Sequence, residues 1–308
     1  MRWKKRGVIW KPPGTQPWAR THAMLPTPTL IADDTIRIFV NCQDAEGRAT
    51  PTFVDVSSND PAVVLRESES SLLPLGEAGR FDDSGVTVTS VVKADGNLLY
   101  MYYVGFEILT TVRYRMLTGL AVSSDGGESF SRYQSTPILE RSPAESLFRC
   151  GTFVRHDEGK FKMWYVAGSN WEIVRGKAMP VYDLRYQESA DGINWGGEGQ
   201  LLIELEGDEH GFGRPWVIRC PDTGLYRLFY SIRRRSLAAY RLGYAESDDG
   251  VDWIRKDAQM GLDVSAGEFD SDAIMYSSVL AAQGKTYCFY NGNQFGLDGI
   301  GLAELIDD

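Results

Sequence analysis

Ser90-Val-Val-Lys93, the turn Ala94-Asp-Gly-Asn97 and Leu99-Tyr-Met-Tyr-Tyr-Val104 follow one another in the pattern of a β-hairpin. Aromatic and β-branched residues at near-alternate positions suit a pleated, largely buried surface. The Asp-Gly pair between the two runs has the chemistry of a tight turn. This stretch therefore predicts two antiparallel strands.

The hairpin pattern occurs five times. Its first-strand tetrapeptides start 62 to 64 residues apart, at 28–31, 90–93, 152–155, 216–219 and 278–281. Its aromatic second strands are at 36–41, 99–104, 161–166, 226–231 and 286–291. Self-similarity at a fixed period indicates stacked supersecondary units that bury their apolar faces against one another.

Third and fourth strands follow each hairpin. Third strands are predicted at 52–56, 119–123, 184–189, 242–247 and 299–305. Three of them end in a Ser-x-Asp-Gly turn, after which Phe130, Trp195 and Trp253 open a fourth strand. We interpret these turns as structural, because Asp and Gly form tight turns and the aromatic side chain packs between sheets. Four antiparallel strands repeated five times predict an all-β fold, a five-bladed β-propeller.

The last blade lacks a fourth strand after 299–305, and Arg6-Gly-Val-Ile-Trp10 is predicted to supply it. Pairing these segments removes an exposed sheet edge. The stretch 59–74 is expected to hold the fourth strand of the first blade and a linker. With 308 residues and 43% hydrophobic content, the chain is predicted to form a single propeller domain over 1–308.

Composition narrows the classes of partner and compartment. No hydrophobic run approaches the roughly 20 residues that span a bilayer, so no membrane association is expected. The net charge of −10 argues against a nucleic-acid partner. Four cysteines fall in four different repeats without metal-like spacing, which predicts reduced thiols and a cytoplasmic location; they are Cys42, Cys150, Cys220 and Cys288. No cofactor or metal is predicted, but a hard cation such as Ca²⁺ at Asp82, Asp83, Asp270 and Asp272 stays open as a weaker alternative.

Propeller geometry assigns the polar residues to one face. The segments before each first strand and the loops after each second strand share a mouth in that fold. The candidates before first strands are Arg20, His22, Asp82, Asp83, Arg149, Arg214, Asp270 and Asp272. The candidates after second strands are Asp44, Glu107, Trp171, Glu172, Arg233 and Asn291. Arginine and carboxylate groups bond hydroxyls in forked pairs, and an indole stacks on a sugar, so this mixture predicts a polyhydroxylated or anionic ligand.

The chain resembles a group of bacterial five-bladed proteins from polysaccharide gene clusters. The resemblance is carried by Arg20-Thr-His-Ala23, by Gly79-Arg-Phe-Asp-Asp-Ser-Gly85 and by the Ser-x-Asp-Gly turns, and it covers nearly the whole chain. Those proteins resemble glycoside hydrolases of families 43, 32 and 130, and are similar to the N-terminal domain of glucosamine inositolphosphorylceramide transferase. The resemblance implies a carbohydrate-active protein.

Family 43 implies a carboxylate before the first strand of each of the first three blades. In this chain the first position falls at 22–27 and the third at 147–150, and neither stretch contains Asp or Glu. The second position is filled by Asp82 or Asp83. Glycoside hydrolysis needs two carboxyl groups, about 5–5.5 Å apart for retention or about 6.5–9.5 Å for inversion. We therefore predict that Asp83, Asp272 and Glu172 are the catalytic residues, with Asp83 first, and that the remaining candidates bind substrate.

Three functions stay open from the sequence. The first is a glycoside hydrolase or transglycosidase that acts on a bacterial glycan or its precursor. The second is a phosphate-dependent phosphorylase or a glycosyltransferase-like enzyme, in which His22, Arg149, Arg214 and Arg233 cradle a phosphate, as in the resemblance to family 130. The third is a non-catalytic glycan-binding propeller. The corresponding partners are a glycan, a sugar phosphate or a nucleotide sugar.

Overall fold

The computed structural model describes residues 1–221, 223–237 and 239–308. The N-terminal part forms the strands β1 (Arg2–Trp10), β2 (Thr21–Ala32), β3 (Thr35–Gln43), β4 (Ala49–Ser57) and β5 (Val64–Glu67). The middle of the chain forms β6 (Gly85–Lys93), β7 (Leu99–Ile108), β8 (Tyr114–Ser123), β9 (Ser131–Arg132), β10 (Phe148–Asp157), β11 (Lys160–Val174), β12 (Lys177–Ser189) and β13 (Gln200–Ile203).

The C-terminal part is also built mainly of strands. They are β14 (Glu209–Arg219), β15 (Tyr226–Arg234), β16 (Tyr240–Ser247), β17 (Ile254–Arg255), β18 (Met275–Ala282), β19 (Lys285–Asn291) and β20 (Ile300–Asp307). The remaining secondary structure of the described residues is a 3-10 turn at Asp257–Gln259 and a helical turn α1 at Asn293–Gly296. No helix among the described residues is long and apolar enough to cross a membrane. The predicted all-β class is confirmed.

The strands are hydrogen-bonded in groups of four that follow chain order. Strands β2 to β5 form one sheet, and β18, β19, β20 and β1 form another, in which β1 pairs antiparallel with β20. Strands β6 to β9, β10 to β13 and β14 to β17 belong to a longer sheet, in which the parallel contacts β8–β10 and β12–β14 link successive groups. The first and second strands are at the predicted places. The number of blades and the closure of a ring stay predictions.

The chain divides into two compact units. Unit 1 comprises Met1–Leu72, Trp216–Ser231 and Ala239–Asp308, and unit 2 comprises Leu73–Pro215 and Ile232–Ala238. Unit 1 has a core that includes Ile38, Val40, Val54 and Leu302, all fully buried. Unit 2 has a core that includes Tyr102, Met163, Tyr165 and Ala167, also fully buried. The prediction of a single domain over 1–308 stays a prediction.

Fourth strands are shorter and later than the sequence indicates. Strands β9 and β17 contain two residues each and begin one residue after Phe130 and Trp253. Strand β13 begins at Gln200, five residues after Trp195. The reason is that Trp195 packs inward, with its ring edge against Tyr102 and its indole N–H donated to the Gly192 carbonyl, so the chain turns before it pairs.

The Ser-x-Asp-Gly turns are tied together by their own side chains. In the first turn, the Ser123 hydroxyl donates to Asp125 (2.6 Å), and the same Asp125 oxygen accepts the backbone N–H groups of Glu128 and Ser129. Asp191 and Asp249 accept equivalent bonds in the other two turns. These contacts are those of a structural turn, as interpreted from the sequence.

A buried tyrosine, a carboxylate and a cation form a recurring triad. The tyrosine always comes from the second strand of its group, and the four sets are Tyr103–Asp82–Arg132, Tyr165–Glu145–Arg149, Tyr230–Asp257–Arg255 and Tyr290–Asp270–Lys5. The tyrosine hydroxyl donates to the carboxylate, and the cation forms an ion pair with it. Burial raises the pKa of each tyrosine, which keeps the hydroxyl protonated as a donor. In the first group, Val40 replaces the tyrosine.

Lys5→Met should destabilise the protein by about 3 kcal/mol, because it leaves the fully buried Asp270 without its cation. The Lys5 ammonium lies 2.5 Å from Asp270 and also donates to Ser265. Urea unfolding of the purified protein measures this loss. Lys4→Met is the matched control, because the neighbouring Lys4 side chain is exposed, and it should change the free energy of unfolding by less than about 0.5 kcal/mol. Equal effects of the two variants would contradict a structural role for the Lys5–Asp270 pair.

Asp125→Asn should remove part of the acid sensitivity of folding. Burial acts to raise the pKa of Asp125, but hydrogen bonds from Ser123 and Ser129 outweigh it and lower the pKa from 3.8 to about 2. The ionised group therefore stabilises the fold above pH 3.8, and this contribution is lost as the pH falls toward 2. Urea unfolding between pH 5 and about 2.5 should show a shallower pH dependence for the variant than for wild type or for the exposed-site control Glu69→Gln. Parallel curves for all three proteins would refute the assignment.

Candidate functional site

The predicted site residues fall in both units. Unit 1 contains Arg20, His22, Asp44, Asp270, Asp272 and Asn291. Unit 2 contains Asp82, Asp83, Glu107, Arg149, Trp171, Glu172, Arg214 and Arg233.

An aromatic wall in unit 2 surrounds Trp171. The hairpin of β11 and β12 extends past the sheet, with Trp171 opposite Pro180. The Trp171 ring lies 5.6 Å from Tyr114 and 5.4 Å from Phe148, and Phe148 lies 5.2 Å from Tyr182. We call Tyr114, Phe148, Trp171 and Tyr182 the Trp171 cluster. The Trp171 indole N–H is buried and has no acceptor among the described residues.

Glu172, the residue after Trp171, forms an ion pair with Arg235. The Glu172 carboxylate accepts two hydrogen bonds from the Arg235 guanidinium, at 2.9 and 3.0 Å. Arg235 also donates to the Glu209 carbonyl (2.7 Å), which fixes the fork in place. The hydrogen bonds from Arg235 lower the pKa of Glu172, so this carboxylate is ionised at neutral pH. An ionised carboxylate can accept hydrogen bonds from hydroxyl groups or act as a general base, but it holds no proton to donate.

His210 is a buried imidazole beside these arginines. Its side chain is 1% exposed, and no partner among the described residues contacts its Nδ1. Burial, together with the positive charges of Arg233 and Arg235, lowers the pKa of His210 to about 4. Arg233 connects this group to the Trp171 cluster, since its guanidinium lies 4.9 Å from the Tyr182 ring centre and donates to the Pro180 carbonyl. The imidazole is therefore neutral at physiological pH.

Three predicted residues of unit 2 are engaged in internal contacts. Arg149 and Glu145 form a buried ion pair, and Arg149 also donates to the Glu140 carbonyl (2.6 Å). Asp82 is fully buried in its triad. Asp83 closes its own loop, because it accepts the Gly79 N–H (2.9 Å) and the Ser84 hydroxyl (2.7 Å). Their roles as substrate ligands or catalyst stay predictions.

Two more predicted residues of unit 2 have different surroundings. Arg214 is buried and donates to the Thr89 carbonyl at 3.4 Å. Glu107 pairs with Arg115 at 2.6 Å and lines a cavity of about 350 Å³. The other lining residues are Gly79, Arg80, Phe81, Arg115, Leu117, Ser135, Thr136, Pro137, Glu140 and Arg141.

In unit 1, Asp272 is the predicted carboxylate with the freest side chain. Its backbone N–H donates to the Asn293 side chain (2.8 Å), and its carbonyl accepts from Arg241 (2.9 Å). Its carboxylate has no hydrogen bond or ion pair among the described residues. The side chain is exposed, so it is available to a ligand or to a transferred proton.

His22 and Asn291 in unit 1 have unequal roles. His22 has a left-handed backbone (φ 61°) and is half-buried; burial lowers the pKa of its ring, while a hydrogen bond to the Gln294 backbone counteracts this shift. Asn291 is fully buried and bonds internally, accepting the Leu25 N–H (2.8 Å) and donating to the Ala23 carbonyl (2.8 Å). Asn291 therefore stabilises the local fold, and its predicted contact with substrate stays a prediction.

The other predicted residues of unit 1 lie in local contacts. Arg20 donates to the Gly14 carbonyl (3.0 Å), and Asp44 pairs with Arg48 at 2.8 Å. Asp270 is fully buried in its triad. Among the described residues no group of three or more His, Cys, Asp or Glu side chains is arranged to hold a metal ion.

The comparisons with known proteins give a full-length relative and several similar structures. No family model matches the chain. Uncharacterized protein Rv1502 of Mycobacterium tuberculosis is 33% identical over 306 residues, which cover 99% of both chains. Among solved structures, a glycoside hydrolase has a TM-score of 0.75 at 18% identity, covering 97% of this chain and 90% of that one. A thermostable family-43 glycoside hydrolase has a TM-score of 0.67 at 17% identity, covering 94% and 91%.

The charges around His210 make its titration a test of the site. Arg235→Met removes a neighbouring cation, so the pKa of His210 should rise from about 4 toward its ordinary value of 6.5. Glu172→Gln removes a neighbouring anion and should lower the pKa further. The chain has three histidines, so NMR of the imidazole protons can follow each one. His22, which lies in unit 1, is the internal control, and its pKa should be the same in all three proteins. A His210 pKa that does not respond to Arg235→Met would disprove the arrangement.

Proposed function

We propose that the chain, which belongs to the family of the Mycobacterium tuberculosis protein Rv1502, is a carbohydrate-active enzyme, because its fold is similar to that of glycoside hydrolases. The reaction is hydrolysis or transglycosylation of a bacterial glycan or its precursor, within the synthesis of a polysaccharide. None of the four cysteines forms a disulfide among the described residues, which supports a cytoplasmic location.

The proposed architecture is a single five-bladed β-propeller over 1–308. It is supported by the five groups of four strands and by the pairing of β1 with β20, which supplies the fourth strand of the last group. Such pairing closes a propeller without leaving a free edge.

The observation that carries the functional proposal is the Trp171 cluster beside the Glu172–Arg235 pair and neutral His210. Phe148 and Tyr182 are buried, and the partly exposed rings of Tyr114 and Trp171 offer the surface that suits the apolar face of a sugar ring. The ionised carboxylate and the forked guanidinium bind its hydroxyls in pairs. Together these side chains fit a polyhydroxylated ligand.

The proposed catalytic carboxylates differ in what their contacts allow. Asp272 has an exposed carboxylate that is free of internal contacts, so it becomes the first candidate for proton transfer. Glu172 is held ionised and suits substrate binding or base chemistry. Asp83 is engaged in its loop and suits an orienting role. Arg20, His22, Asp44, Glu107, Trp171, Arg214 and Arg233 are retained as proposed substrate ligands, whereas Asp82, Arg149, Asp270 and Asn291 are proposed to be structural.

A phosphate-dependent reaction is the second candidate. It is favoured by the absence of Asp and Glu at two of the three family 43 positions, 22–27 and 147–150. With phosphate as the nucleophile, a single carboxylic acid is enough. Arg233 and Arg235, whose charges act on the neutral His210, provide the positive charge that an anionic group requires. A sugar phosphate or a nucleotide sugar is then the partner.

Asp272→Asn should reduce turnover by at least about 100-fold, because a positioned acid or base contributes this much to the rate. The assay is release of reducing sugar or sugar phosphate from a panel of bacterial polysaccharides and oligosaccharides, with and without orthophosphate. Asp33→Asn is the control, because Asp33 is an exposed carboxylate of the same unit in the turn between β2 and β3. Both variants should unfold at the wild-type temperature.

The outcomes of this assay separate the candidates. Cleavage that needs no orthophosphate supports the hydrolase, and cleavage that needs it supports the phosphorylase. Binding of a glycan without any cleavage supports a non-catalytic protein and rules out both enzymes. A wild-type rate for Asp272→Asn would remove Asp272 from the chemistry and leave Glu172 and Asp83.

A further inference from the structure

Unit 1 has an exposed aromatic group centred on Phe295. Phe295, in the turn between β19 and β20, has 49% of its side chain exposed. Its ring stacks on Tyr276 (centroids 6.5 Å apart, planes at 29°) and meets Tyr240 edge-on (6.4 Å, 77°). Tyr240 and Tyr276 lie 5.8 Å apart. We call Tyr240, Tyr276 and Phe295 the Phe295 platform.

The backbone under the platform is strained. Tyr276, Gln294 and Phe295 have φ values of 56°, 51° and 59°, in the left-handed region that glycine tolerates and other residues disfavour. Three non-glycine residues in this region, two of them consecutive, destabilise the fold, and such strain is concentrated at binding and catalytic sites. At Phe295 the strained conformation is combined with a ring that faces solvent. Folding alone provides no reason for this combination.

Hydrogen bonds hold the platform rigidly. The Asn293 side chain accepts the backbone N–H groups of Asp272 (2.8 Å) and Ala273 (2.9 Å) and donates to the Ser271 hydroxyl (3.1 Å). The Tyr276 N–H donates to the Ser231 hydroxyl (2.9 Å). A preorganised aromatic surface loses little conformational entropy when a ligand covers it.

The polar groups around the platform favour an uncharged ligand. Asp272 contributes a free carboxylate, whereas the cation Arg241 is shared with Asp263 at 3.4 Å. The ring of His22 is bonded to the backbone of Gln294, and burial favours its neutral form. The surroundings are therefore net negative, which disfavours a sugar acid or a phosphate here. Hydroxyl groups, in contrast, can donate to Asp272.

We propose that the Phe295 platform is a sugar-binding subsite that takes an uncharged pyranose ring, with the apolar face of the sugar on Phe295 and its hydroxyls on Asp272. This inference rests on the proposed carbohydrate-active function and names the kind of sugar that unit 1 binds. A single exposed aromatic residue is common on protein surfaces and has no meaning by itself. The assignment depends on the coincidence of exposure, ring stacking, backbone strain and a free carboxylate.

Binding of simple methyl glycosides tests the subsite without any need for turnover. The probes are methyl β-D-galactopyranoside, methyl β-D-glucopyranoside and methyl β-D-xylopyranoside at about 100 mM, where a site with a Kd of about 10 mM is mostly filled. At least one should shift the NMR signals of the Phe295 and Tyr276 rings. Sodium D-glucuronate, an acidic sugar, should shift them at least about fivefold less at the same concentration. If none of the three glycosides moves these signals, the subsite does not exist.

Variants separate stacking from a general effect on the loop. Phe295→Ala should weaken binding at least about fivefold, and Phe295→Trp should restore it, because a larger ring keeps the stacking surface. Tyr133→Ala is the matched control, since Tyr133 is also 49% exposed but belongs to unit 2, and its binding should equal wild type. Gln294→Gly should raise the unfolding temperature by relieving strain, yet weaken binding by loosening the turn. Unchanged binding in Phe295→Ala would overturn the proposal.

These results are distinguishable from failure of the proposed function. If a glycan is cleaved but Phe295→Ala neither binds less methyl glycoside nor raises the KM, only the subsite is wrong. If methyl glycosides bind through Phe295 and no glycan is cleaved, the subsite stands and the enzymatic function is wrong.

Discussion

A carboxylate held between a buried tyrosine hydroxyl and a cation is the interaction on which the strand groups depend. It occurs in four groups, and the tyrosine always belongs to the second strand. In three of them the carboxylate comes from the segment before the first strand: Asp82, Glu145 and Asp270. The triad therefore joins the start of a group to its middle. Where an arginine or lysine of another strand completes it, removal of one member leaves an uncompensated charge in an apolar environment.

The triads also determine which polar residues remain for a ligand. Asp82 is followed directly by Asp83, and Asp270 is followed two residues later by Asp272. In each pair the first carboxylate belongs to a triad and the second lies outside it. The buried members stabilise the fold, so the outer members, together with Glu172 and His210, carry the proposed chemistry. Charge is arranged differently in the two units. The positive charges of Arg233 and Arg235 act on His210 in unit 2, whereas in unit 1 the exposed Asp272 is hydrogen-bonded through its backbone to Asn293, two residues before Phe295.

Much of the fold could be predicted because it is recorded in local patterns. The period of the hairpins, the Ser-x-Asp-Gly turns and the unpaired strand at 6–10 are readable from neighbouring residues, and β1 does pair with β20. The residues of the site were harder to predict from the sequence. Nothing local distinguishes Asp82 from Asp83, and Arg149 is paired with Glu145, a residue that no motif marks. The left-handed dihedrals of Gln294 and Phe295 leave no trace in the sequence, because strain is imposed by tertiary contacts.

The pairing of β1 with β20 has a consequence for synthesis of the chain on the ribosome. Arg2 lies opposite Asp307, so β1 is made about 300 residues before its partner and stays unpaired during that time. An unpaired strand is a template for aggregation unless charge protects it. Strand β1 contains Arg2, Lys4, Lys5 and Arg6 among its nine residues. Like charges on every nascent copy keep these strands apart, and in the folded protein Arg2, Lys5 and Arg6 are paired with Asp307, Asp270 and Asp60.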